Sequence, residues 1–207
     1  MNQAKFKKKN KACFFDRDGV LNKDIGYLYK KENFHWIEGA VECIRLLKEM
    51  KYKVIVITNQ SGISRGFYNH EDVEKLHLWI NTQLKRTINT SIDQFYYSDE
   101  MPNTKVNSRR KPSPNMIIEA FQDHNLDPKQ CFLIGDKKTD MDAAKNAKIK
   151  GFLFSNIMFI FVILLISFLI LFSSMYFWSE NYSLPSNIKG SILDAPIVRG
   201  KIIETSL

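Results

Sequence analysis

The chain is organised around one stretch near its N-terminus, Phe14-Phe15-Asp16-Arg17-Asp18-Gly19-Val20-Leu21. In this stretch an apolar run ends in two aspartates that are separated by one residue. Such a run predicts a buried strand of a parallel sheet, and its carboxyl end lies where open α/β folds keep their ligand crevice. Because two adjacent carboxylates repel each other, the turn indicates a bound cation, although an ordinary acidic turn fits the same residues.

The chain beyond this stretch alternates between apolar strands and amphipathic helices. Strands are predicted over residues 12–16, 53–58, 95–97, 130–134 and 151–154, and helices over residues 38–50, 69–88, 112–124 and 140–147. Asn69 is a suitable cap for the second helix, because Asp72 follows it by three residues. The alternation predicts an α/β fold, a doubly wound parallel sheet with helices on both faces, over residues 12–156.

Composition limits the classes of partner. The 207 residues allow one domain of ordinary size plus an appendage. The formal net charge is +8, but much of the excess lies in lysines of residues 1–11, which we interpret as a solvated basic tail. No aromatic side chains alternate with these lysines as stacking platforms, so we expect no nucleic-acid partner. The lysines also suit an anionic lipid surface.

The cysteines and the N-terminus indicate the compartment. Cys13, Cys43 and Cys131 are odd in number, lie far apart and sit in apolar stretches, which predicts reduced core thiols rather than disulfides. No secretory signal opens the chain, because the basic start leads into a strand and an acidic turn. We therefore expect a cytoplasmic domain.

The composition changes sharply after residue 156. Residues 157–178 contain no charged side chain and are long enough, at about 1.5 Å per residue, to cross a hydrocarbon core of roughly 30 Å. Tyr176 and Trp178 lie where an interfacial aromatic belt would place them. This segment predicts a transmembrane helix, and the alternative is a buried core helix.

Charges on either side of residues 157–178 predict its orientation. Lys145, Lys148 and Lys150 precede the segment closely, whereas Glu180 follows it. The positive-inside tendency therefore keeps the preceding domain in the cytoplasm, anchored to the inner membrane if the chain is expressed as written. Residues 179–207 form a short tail that is too small to build its own core.

Several polar residues follow the predicted strands or begin a helix: Asp16, Asp18, Thr58, Lys111 and Asp136. In a doubly wound sheet these ends converge on one crevice, which is the outline of a phosphoryl-transfer site. Oxygen ligands from two of the aspartates suit Mg²⁺. One carboxylate can attack phosphorus while a second protonates the leaving oxygen, and the hydroxyl and the lysine can stabilise the transferring group.

Four ordered motifs within residues 12–154 resemble those of the haloacid dehalogenase superfamily. More narrowly, they resemble the branch that contains heptose 1,7-bisphosphate 7-phosphatases and histidinol-phosphatases. The motifs are Phe15-Asp16-Arg17-Asp18-Gly19-Val20-Leu21-Asn22, Thr58-Asn59-Gln60-Ser61-Gly62, Arg110-Lys111-Pro112 and Gly135-Asp136-Lys137 with Asp140-Met141. The resemblance implies a Rossmann-like domain with little cap, which we expect to be a monomer.

The resemblance implies a role for each matching residue. Asp16 would be the nucleophile, Asp18 the general acid and base, and Thr58 and Lys111 the residues that hold the phosphoryl group. Mg²⁺ would be bound by Asp16, Asp136 and the main-chain carbonyl of Asp18.

The resemblance also implies the substrate. The residues that match sugar-phosphate contacts of the heptose branch are Asp24, Ile25, Gly26, Tyr27, Asn59, Gln60, Ser61, Arg110 and Lys137. They favour removal of the 7-phosphate of heptose 1,7-bisphosphate through an aspartyl-phosphate, in ADP- or GDP-heptose synthesis for lipopolysaccharide. Histidinol phosphate is the alternative substrate, and a membrane protein with an inactive phosphatase-like binding module is the alternative class.

The chain departs from the family pattern in two places. Many members carry a zinc loop of three cysteines and a histidine, but residues 98–102 and 107–109 contain neither residue type, so we expect no zinc. The family also usually continues into a soluble C-terminal element, whereas this chain enters the apolar segment 157–178. That segment is either a genuine anchor or the product of a fusion or frameshift.

Overall fold

The computed structural model describes residues 9–102 and 108–154. Its strands are β1 (Asn10–Phe15), β2 (Lys53–Asn59), β3 (Gln94–Ser98), β4 (Leu126–Gly135) and β5 (Lys150–Leu153). Its helices are α1 (Ala40–Glu49), α2 (His70–Ile88), α3 (Asn115–Asp123) and α4 (Lys138–Asn146), with a short 3-10 helix at Lys31–Asn33.

The five strands form one parallel sheet in the order β3-β2-β1-β4-β5. From β1 the chain runs outward through β2 to β3, and it then crosses to β4 on the opposite side of β1. The reversal in strand order leaves a crevice at the carboxyl end of β1. The predicted doubly wound parallel α/β fold is confirmed.

Strand β1 has buried side chains on both of its faces. Cys13 and Phe15 belong to the core that packs against α1 and α2. Ala12 and Phe14 point the other way, into the core that α3 and α4 cover. Because helices cover both faces, residues 12–15 are all apolar instead of alternating with polar residues, whereas the strand begins with the polar residues Asn10 and Lys11.

Helix α2 begins as its sequence predicts. The side chain of Asn69 accepts a hydrogen bond from the backbone N–H of Asp72, and the Asp72 carboxylate accepts one from the backbone N–H of Asn69. This reciprocal pair satisfies two amides that would otherwise lack partners at the helix start.

Strand β4 begins at Leu126, four residues before the prediction. Leu126 pairs with Asn10, and the register shifts between Asn10 and Ala12. Residues 127–130 of β4 are Asp, Pro, Lys and Gln, and all four are partly or fully exposed, so they lack the apolar pattern of a buried strand. The three cysteines are free and buried, as predicted.

Within the described residues, no helix is both long and apolar enough to cross a membrane. The predicted span 157–178 and the tail 179–207 lie outside the described residues, as do residues 1–8 of the basic tail.

Candidate active site

Asp16 follows directly after β1, and its backbone N–H donates to the carbonyl of Ile134 in β4. Its side chain is almost fully buried, and Oδ1 accepts hydrogen bonds from the Arg17 amide at 2.7 Å and Lys111 Nζ at 2.8 Å. Burial raises the pKa of Asp16 to about 7, although Lys111 opposes the rise. A further cation beside Asp16 would lower this pKa and so favour the ionised carboxylate, which is the nucleophilic form.

Lys111 precedes α3 and carries a buried ammonium group. Its Nζ lies 2.8 Å from Asp16 Oδ1 and 2.7 Å from Asp140 Oδ1, and it donates to the carbonyl of Ile57 at 2.9 Å. Burial lowers the pKa of Lys111, but the two carboxylates outweigh burial and leave the pKa raised. The side chain therefore stays charged between the two aspartates.

The Asn59 side chain holds the backbone of Lys111. Asn59 Oδ1 accepts from the Lys111 amide at 3.0 Å, and Asn59 Nδ2 donates to the Lys111 carbonyl at 3.2 Å. The end of β2 thus positions the loop that delivers the lysine, although 52 residues separate the two positions in sequence.

Three carboxylates form a cluster that suits a divalent cation. One oxygen from each of Asp16, Asp136 and Asp140 lies within 4.8 Å of the others. Asp136 Oδ1 is buried and has no hydrogen-bond partner among the described residues. Buried polar atoms are rarely left without partners. Hard oxygen ligands of this kind fit Mg²⁺.

Asp140 was absent from the predicted metal and catalytic sets. It lies in the first turn of α4, four residues after Asp136, and its Oδ2 accepts from the Lys137 amide at 3.0 Å. The fourth motif includes Asp140, so the sequence does contain a feature that points to this residue as part of the site. The carboxylate of Asp18 does not belong to this cluster of three carboxylates. This agrees with the resemblance, which implies that Asp18 binds the metal through its main-chain carbonyl and not through its side chain.

Gly19 allows the turn after β1 to approach Asp136. Its φ angle is +93°, and a Cβ placed on it would lie 2.2 Å from Asp136 Oδ2. Any larger residue would have both an unfavourable backbone conformation and a clash with a carboxylate of the cluster.

Four donors hold the carboxylate of Asp18. Oδ1 accepts from Arg17 Nε at 3.2 Å and Asn22 Nδ2 at 2.9 Å. Oδ2 accepts from Arg17 Nη2 at 2.9 Å and Gln60 Nε2 at 2.9 Å. Burial raises the pKa of Asp18, but Arg17 and the other donors outweigh it and leave the pKa lowered. Asp18 is therefore ionised in this structure.

Gln60 connects three side chains of the site. Its Nε2 donates to Thr58 Oγ1 at 2.9 Å as well as to Asp18, and its Oε1 accepts from the Tyr68 hydroxyl at 2.7 Å. Gln60 is buried, so its amide orients Asp18 and Thr58 in addition to lining the crevice. Tyr68 was not predicted, and no motif in the sequence includes it.

The crevice at the carboxyl end of β1 is a cavity of about 800 Å³. The predicted residues that line it are Asp16, Asp18, Asp24, Gly26, Tyr27, Thr58, Asn59, Gln60, Ser61, Arg110, Lys111 and Lys137. Asp140, Thr139, Tyr68 and Ser108 line it without having been predicted. Of the other predicted residues, Asp136 belongs to the carboxylate cluster, and Ile25 is 52% exposed and outside the lining.

Lys137 and Arg110 are two cationic side chains in the lining of the cavity. Lys137 Nζ lies 2.9 Å from Asp24 Oδ2, and Arg110 donates to the carbonyl of Glu100 at 3.1 Å. Burial and the nearby guanidinium of Arg65 lower the pKa of Arg110. An anionic ligand at the mouth would relieve this repulsion between cations.

The loop that replaces the zinc loop is held by hydrogen bonds in its described part. Ser108 Oγ donates to the Glu100 carboxylate and accepts from the Arg110 amide at 2.9 Å. Ser64 Oγ donates to the carbonyl of Asp99 at 2.6 Å. These contacts position Arg110 at the cavity mouth.

A parallel α/β sheet whose central strand is followed by an aspartate, beside a buried lysine and a cluster of carboxylates, is the arrangement expected of a phosphoryl-transfer enzyme. The sequence model of the family described as haloacid dehalogenase-like hydrolase matches residues 19–154 of this chain. The chain belongs to this family, as its four motifs predict.

Curated relatives give a narrower comparison. The D-glycero-beta-D-manno-heptose-1,7-bisphosphate 7-phosphatase of Helicobacter pylori is 40% identical over 142 residues, which are 69% of this chain and 82% of the relative. The D-glycero-alpha-D-manno-heptose-1,7-bisphosphate 7-phosphatase of Burkholderia mallei is 40% identical over 145 residues, 67% of this chain and 76% of the relative.

A solved structure gives the same comparison in three dimensions. The D,D-heptose 1,7-bisphosphate phosphatase of B. bronchiseptica, complexed with magnesium and phosphate, superposes with a TM-score of 0.64 at 26% identity. The superposition covers 69% of this chain and 79% of that protein. The similarity therefore extends over more than two thirds of both chains.

Proposed function

We propose that this protein is a Mg²⁺-dependent phosphatase that removes the 7-phosphate of D-glycero-D-manno-heptose 1,7-bisphosphate. The observation that carries the proposal is the buried contact between Asp16 and Lys111 at a cavity that Asp18 also lines. The 40% identity to heptose bisphosphate phosphatases supports the choice of substrate. The product would supply ADP- or GDP-heptose synthesis for envelope polysaccharide, including lipopolysaccharide.

The first chemical step uses both aspartates of the β1 turn. A carboxylate oxygen of Asp16 attacks phosphorus, the bond between phosphorus and the sugar oxygen breaks, and protonated Asp18 gives its proton to that oxygen. Asp18 is ionised before substrate binds, but a phosphate dianion beside it raises its pKa and favours the required proton uptake. Thr58 and Lys111 would hold the phosphoryl oxygens.

The second step releases inorganic phosphate. Asp18, now ionised, takes a proton from water, the water oxygen attacks phosphorus, and the bond to Asp16 breaks. Asp16, Asp136 and the main-chain carbonyl of Asp18 would hold Mg²⁺, with Asp140 in the same carboxylate cluster. When bound, the ion neutralises charge on the phosphoryl oxygens.

We assign substrate contacts to the mouth of the cavity. The segment from Asp24 through Ile25 and Gly26 to Tyr27 would contact the sugar, together with Ser61. Arg110 and Lys137 would contact anionic oxygens of the substrate, because both are cationic side chains that line the cavity. Asn59 and Gln60 would act at the same site through their hydrogen bonds to Lys111, Thr58 and Asp18.

The test is phosphate release by the full chain with Mg²⁺. The substrates are the α and β anomers of heptose 1,7-bisphosphate and, separately, histidinol phosphate, with ³¹P NMR to identify which phosphate is lost. We expect loss of the 7-phosphate from at least one anomer, negligible histidinol phosphate turnover, and no turnover by a folded Asp16→Asn variant.

Three outcomes would reject parts of this proposal. Preference for histidinol phosphate would reject the heptose substrate. Full activity of Asp16→Asn would reject the nucleophile. No turnover of any phosphate ester by a folded wild-type chain would favour the inactive binding module.

We further propose that residues 12–156 are a monomeric catalytic domain on the cytoplasmic side of the inner membrane. Residues 157–178 would be its transmembrane anchor and residues 179–207 a short tail beyond it; the support is hydropathy and flanking charge. The chain should stay with membranes after alkaline carbonate extraction. A chain without residues 157–207 should appear in the soluble fraction, and release of the intact chain by carbonate would reject the anchor.

A further inference from the structure

Arg17 stands between the two aspartates of the β1 turn, yet it is fully buried. It is among the largest side chains of the described residues with no exposed surface, and it does not line the cavity. A buried guanidinium is unfavourable unless its N–H groups are paired with good geometry. Its partners therefore indicate why an arginine occupies this position.

The guanidinium binds Asp18 through two parallel hydrogen bonds, from Nε to Oδ1 at 3.2 Å and from Nη2 to Oδ2 at 2.9 Å. Nη2 also donates to the carbonyl of Leu28 at 2.8 Å, and Nη1 lies 3.3 Å from Nε2 of His77. The planar guanidinium thus fixes the plane of the Asp18 carboxylate, and its contacts with Leu28 and His77 fix the orientation of the guanidinium.

His77 contacts the guanidinium at Nη1, the one nitrogen of the group that does not bind Asp18. It is buried in α2 and stacks on Phe95 of β3, with ring centroids 4.1 Å apart and an angle of 12° between the ring planes. Burial and Arg17 hold the pKa of His77 well below its usual range, so the ring is neutral and its Nε2 can accept from Arg17. A continuous path of contacts therefore runs from β3 through α2 to Asp18.

We propose that Arg17 is a positioning residue that holds the Asp18 carboxylate in the orientation needed for proton transfer to the leaving oxygen, and that His77 holds Arg17 in place. The inference rests on the proposed phosphatase function. Proton transfer requires the donor oxygen within hydrogen-bond reach of the leaving group. A carboxylate free to rotate would spend little time in that orientation.

The role predicts a dependence on the leaving group. A sugar alkoxide is a poor leaving group that needs the proton from Asp18, whereas p-nitrophenolate leaves readily without it. The ratio kcat/KM reports all steps up to departure of the leaving group, so it isolates this transfer from the later attack of water. A variant that only loosens the fold should lower kcat/KM for both kinds of substrate by similar factors.

The experiment compares Arg17→Lys with wild type, as full chains with Mg²⁺, on p-nitrophenyl phosphate and on alkyl phosphates including heptose 1,7-bisphosphate. Lysine keeps the charge but cannot form two parallel hydrogen bonds. We expect kcat/KM to fall about 100-fold for alkyl phosphates, within the usual range for a lost general acid, and less than about tenfold for p-nitrophenyl phosphate.

A matched pair at His77 gives the same readout if Arg17→Lys does not fold. His77→Phe keeps an aromatic ring against Phe95 but removes the acceptor, and His77→Gln keeps an acceptor. We expect selective loss on alkyl phosphates for the first and recovery towards wild type for the second. Leu78→Ala, on the exposed side of α2, should match wild type on both kinds of substrate.

Equal losses on aryl and alkyl phosphates, or no loss in Arg17→Lys, would overturn the positioning role. Wild-type turnover of other alkyl phosphates but not of heptose 1,7-bisphosphate would reject the proposed substrate. In that case the comparison of Arg17 variants is made on the alkyl phosphate that is hydrolysed, so the two failures are distinguishable.

Discussion

The Nζ of Lys111 lies 2.7 Å from Oδ1 of Asp140, and both side chains are buried. The same Nζ lies 2.8 Å from Asp16, so one ammonium group compensates two carboxylates away from water. Removing one partner from a buried ion pair leaves an uncompensated charge, which is among the more damaging single changes to a protein interior.

Lys111→Met should therefore lower kcat by about 100-fold or more, because the phosphoryl group loses its fixed cation. It should also lower the free energy of unfolding by about 3–5 kcal/mol without added metal, because Asp16 and Asp140 then face each other. Steady-state kinetics and urea unfolding measure the two effects. Lys145→Met, on an exposed part of α4, is the control. More than a tenth of wild-type activity in Lys111→Met would contradict the assignment.

Chelation of divalent ions by EDTA should stop turnover, and Mg²⁺ rather than Zn²⁺ should restore it.

Asp140→Asn should raise the Mg²⁺ concentration for half-maximal activity by about 10–100-fold, because a carboxylate of the cluster is lost. Asp142→Asn on the same helix is the control. An unchanged Mg²⁺ requirement in Asp140→Asn would remove that residue from the metal site.

A comparison of Gly19→Ala with Gly66→Ala distinguishes the effect of backbone strain from the effect of a steric clash with Asp136. Both glycines have positive φ angles, +93° and +75°. A Cβ on Gly19 would lie 2.2 Å from Asp136 Oδ2, whereas nothing lies within 4 Å of a Cβ on Gly66. Both variants should lose about 1–2 kcal/mol of stability, but only Gly19→Ala should lose most of its Mg²⁺-dependent turnover. Equal turnover in the two variants would show that Asp136 does not need this close approach.

Asp93 should make stability depend on pH. Its carboxylate accepts from Lys48 and from the Val54 amide, both at 2.7 Å, and from Lys53 at 3.0 Å. Burial raises the pKa of Asp93, but these donors outweigh it and leave the pKa below its usual value. The stabilisation is therefore present above the unfolded-state pKa, near 4, and is lost as the pH falls through the lower folded-state pKa.

Asp93→Asn should lower the free energy of unfolding by about 1–3 kcal/mol at pH 7, and the difference from wild type should shrink below pH 4. Urea unfolding at several pH values measures it. Glu71→Gln removes the exposed contact with Lys75 and should leave the free energy of unfolding close to that of wild type, because water and salt screen an exposed ion pair. A pH-independent difference for Asp93→Asn would attribute the effect to packing instead of charge.

Much of the candidate site could be predicted because the carboxyl ends of parallel strands share one edge. Asp16, Thr58 and Asp136 each lie at the end of a strand, so assigning the strands was enough to bring them together. Asp140 was missed as a member of the carboxylate cluster because it lies in a helix. Its position depends on how α4 packs over the end of β4.

The environment of Arg17 could not be predicted from its neighbours in the chain. A charged residue between two aspartates is usually exposed, yet this one is buried, and its contact with His77 of α2 joins positions 60 residues apart. Gln60 shows the same limit: its motif indicated a substrate contact, and its hydrogen bonds to Asp18, Thr58 and Tyr68 appear only in the folded chain.

The sequence by itself determined the parallel α/β fold, the family and the aspartates and lysine of the candidate site. Apolar periodicity and motif order are local properties, and covering a parallel sheet on both faces leaves few arrangements. The tertiary structure alone decided which donors hold each carboxylate, because hydrogen bonds depend on distances of a few tenths of an ångström between distant segments. It thereby left Asp136 Oδ1 without a hydrogen-bond partner among residues 9–102 and 108–154, and it surrounded the Asp18 carboxylate with four donor atoms.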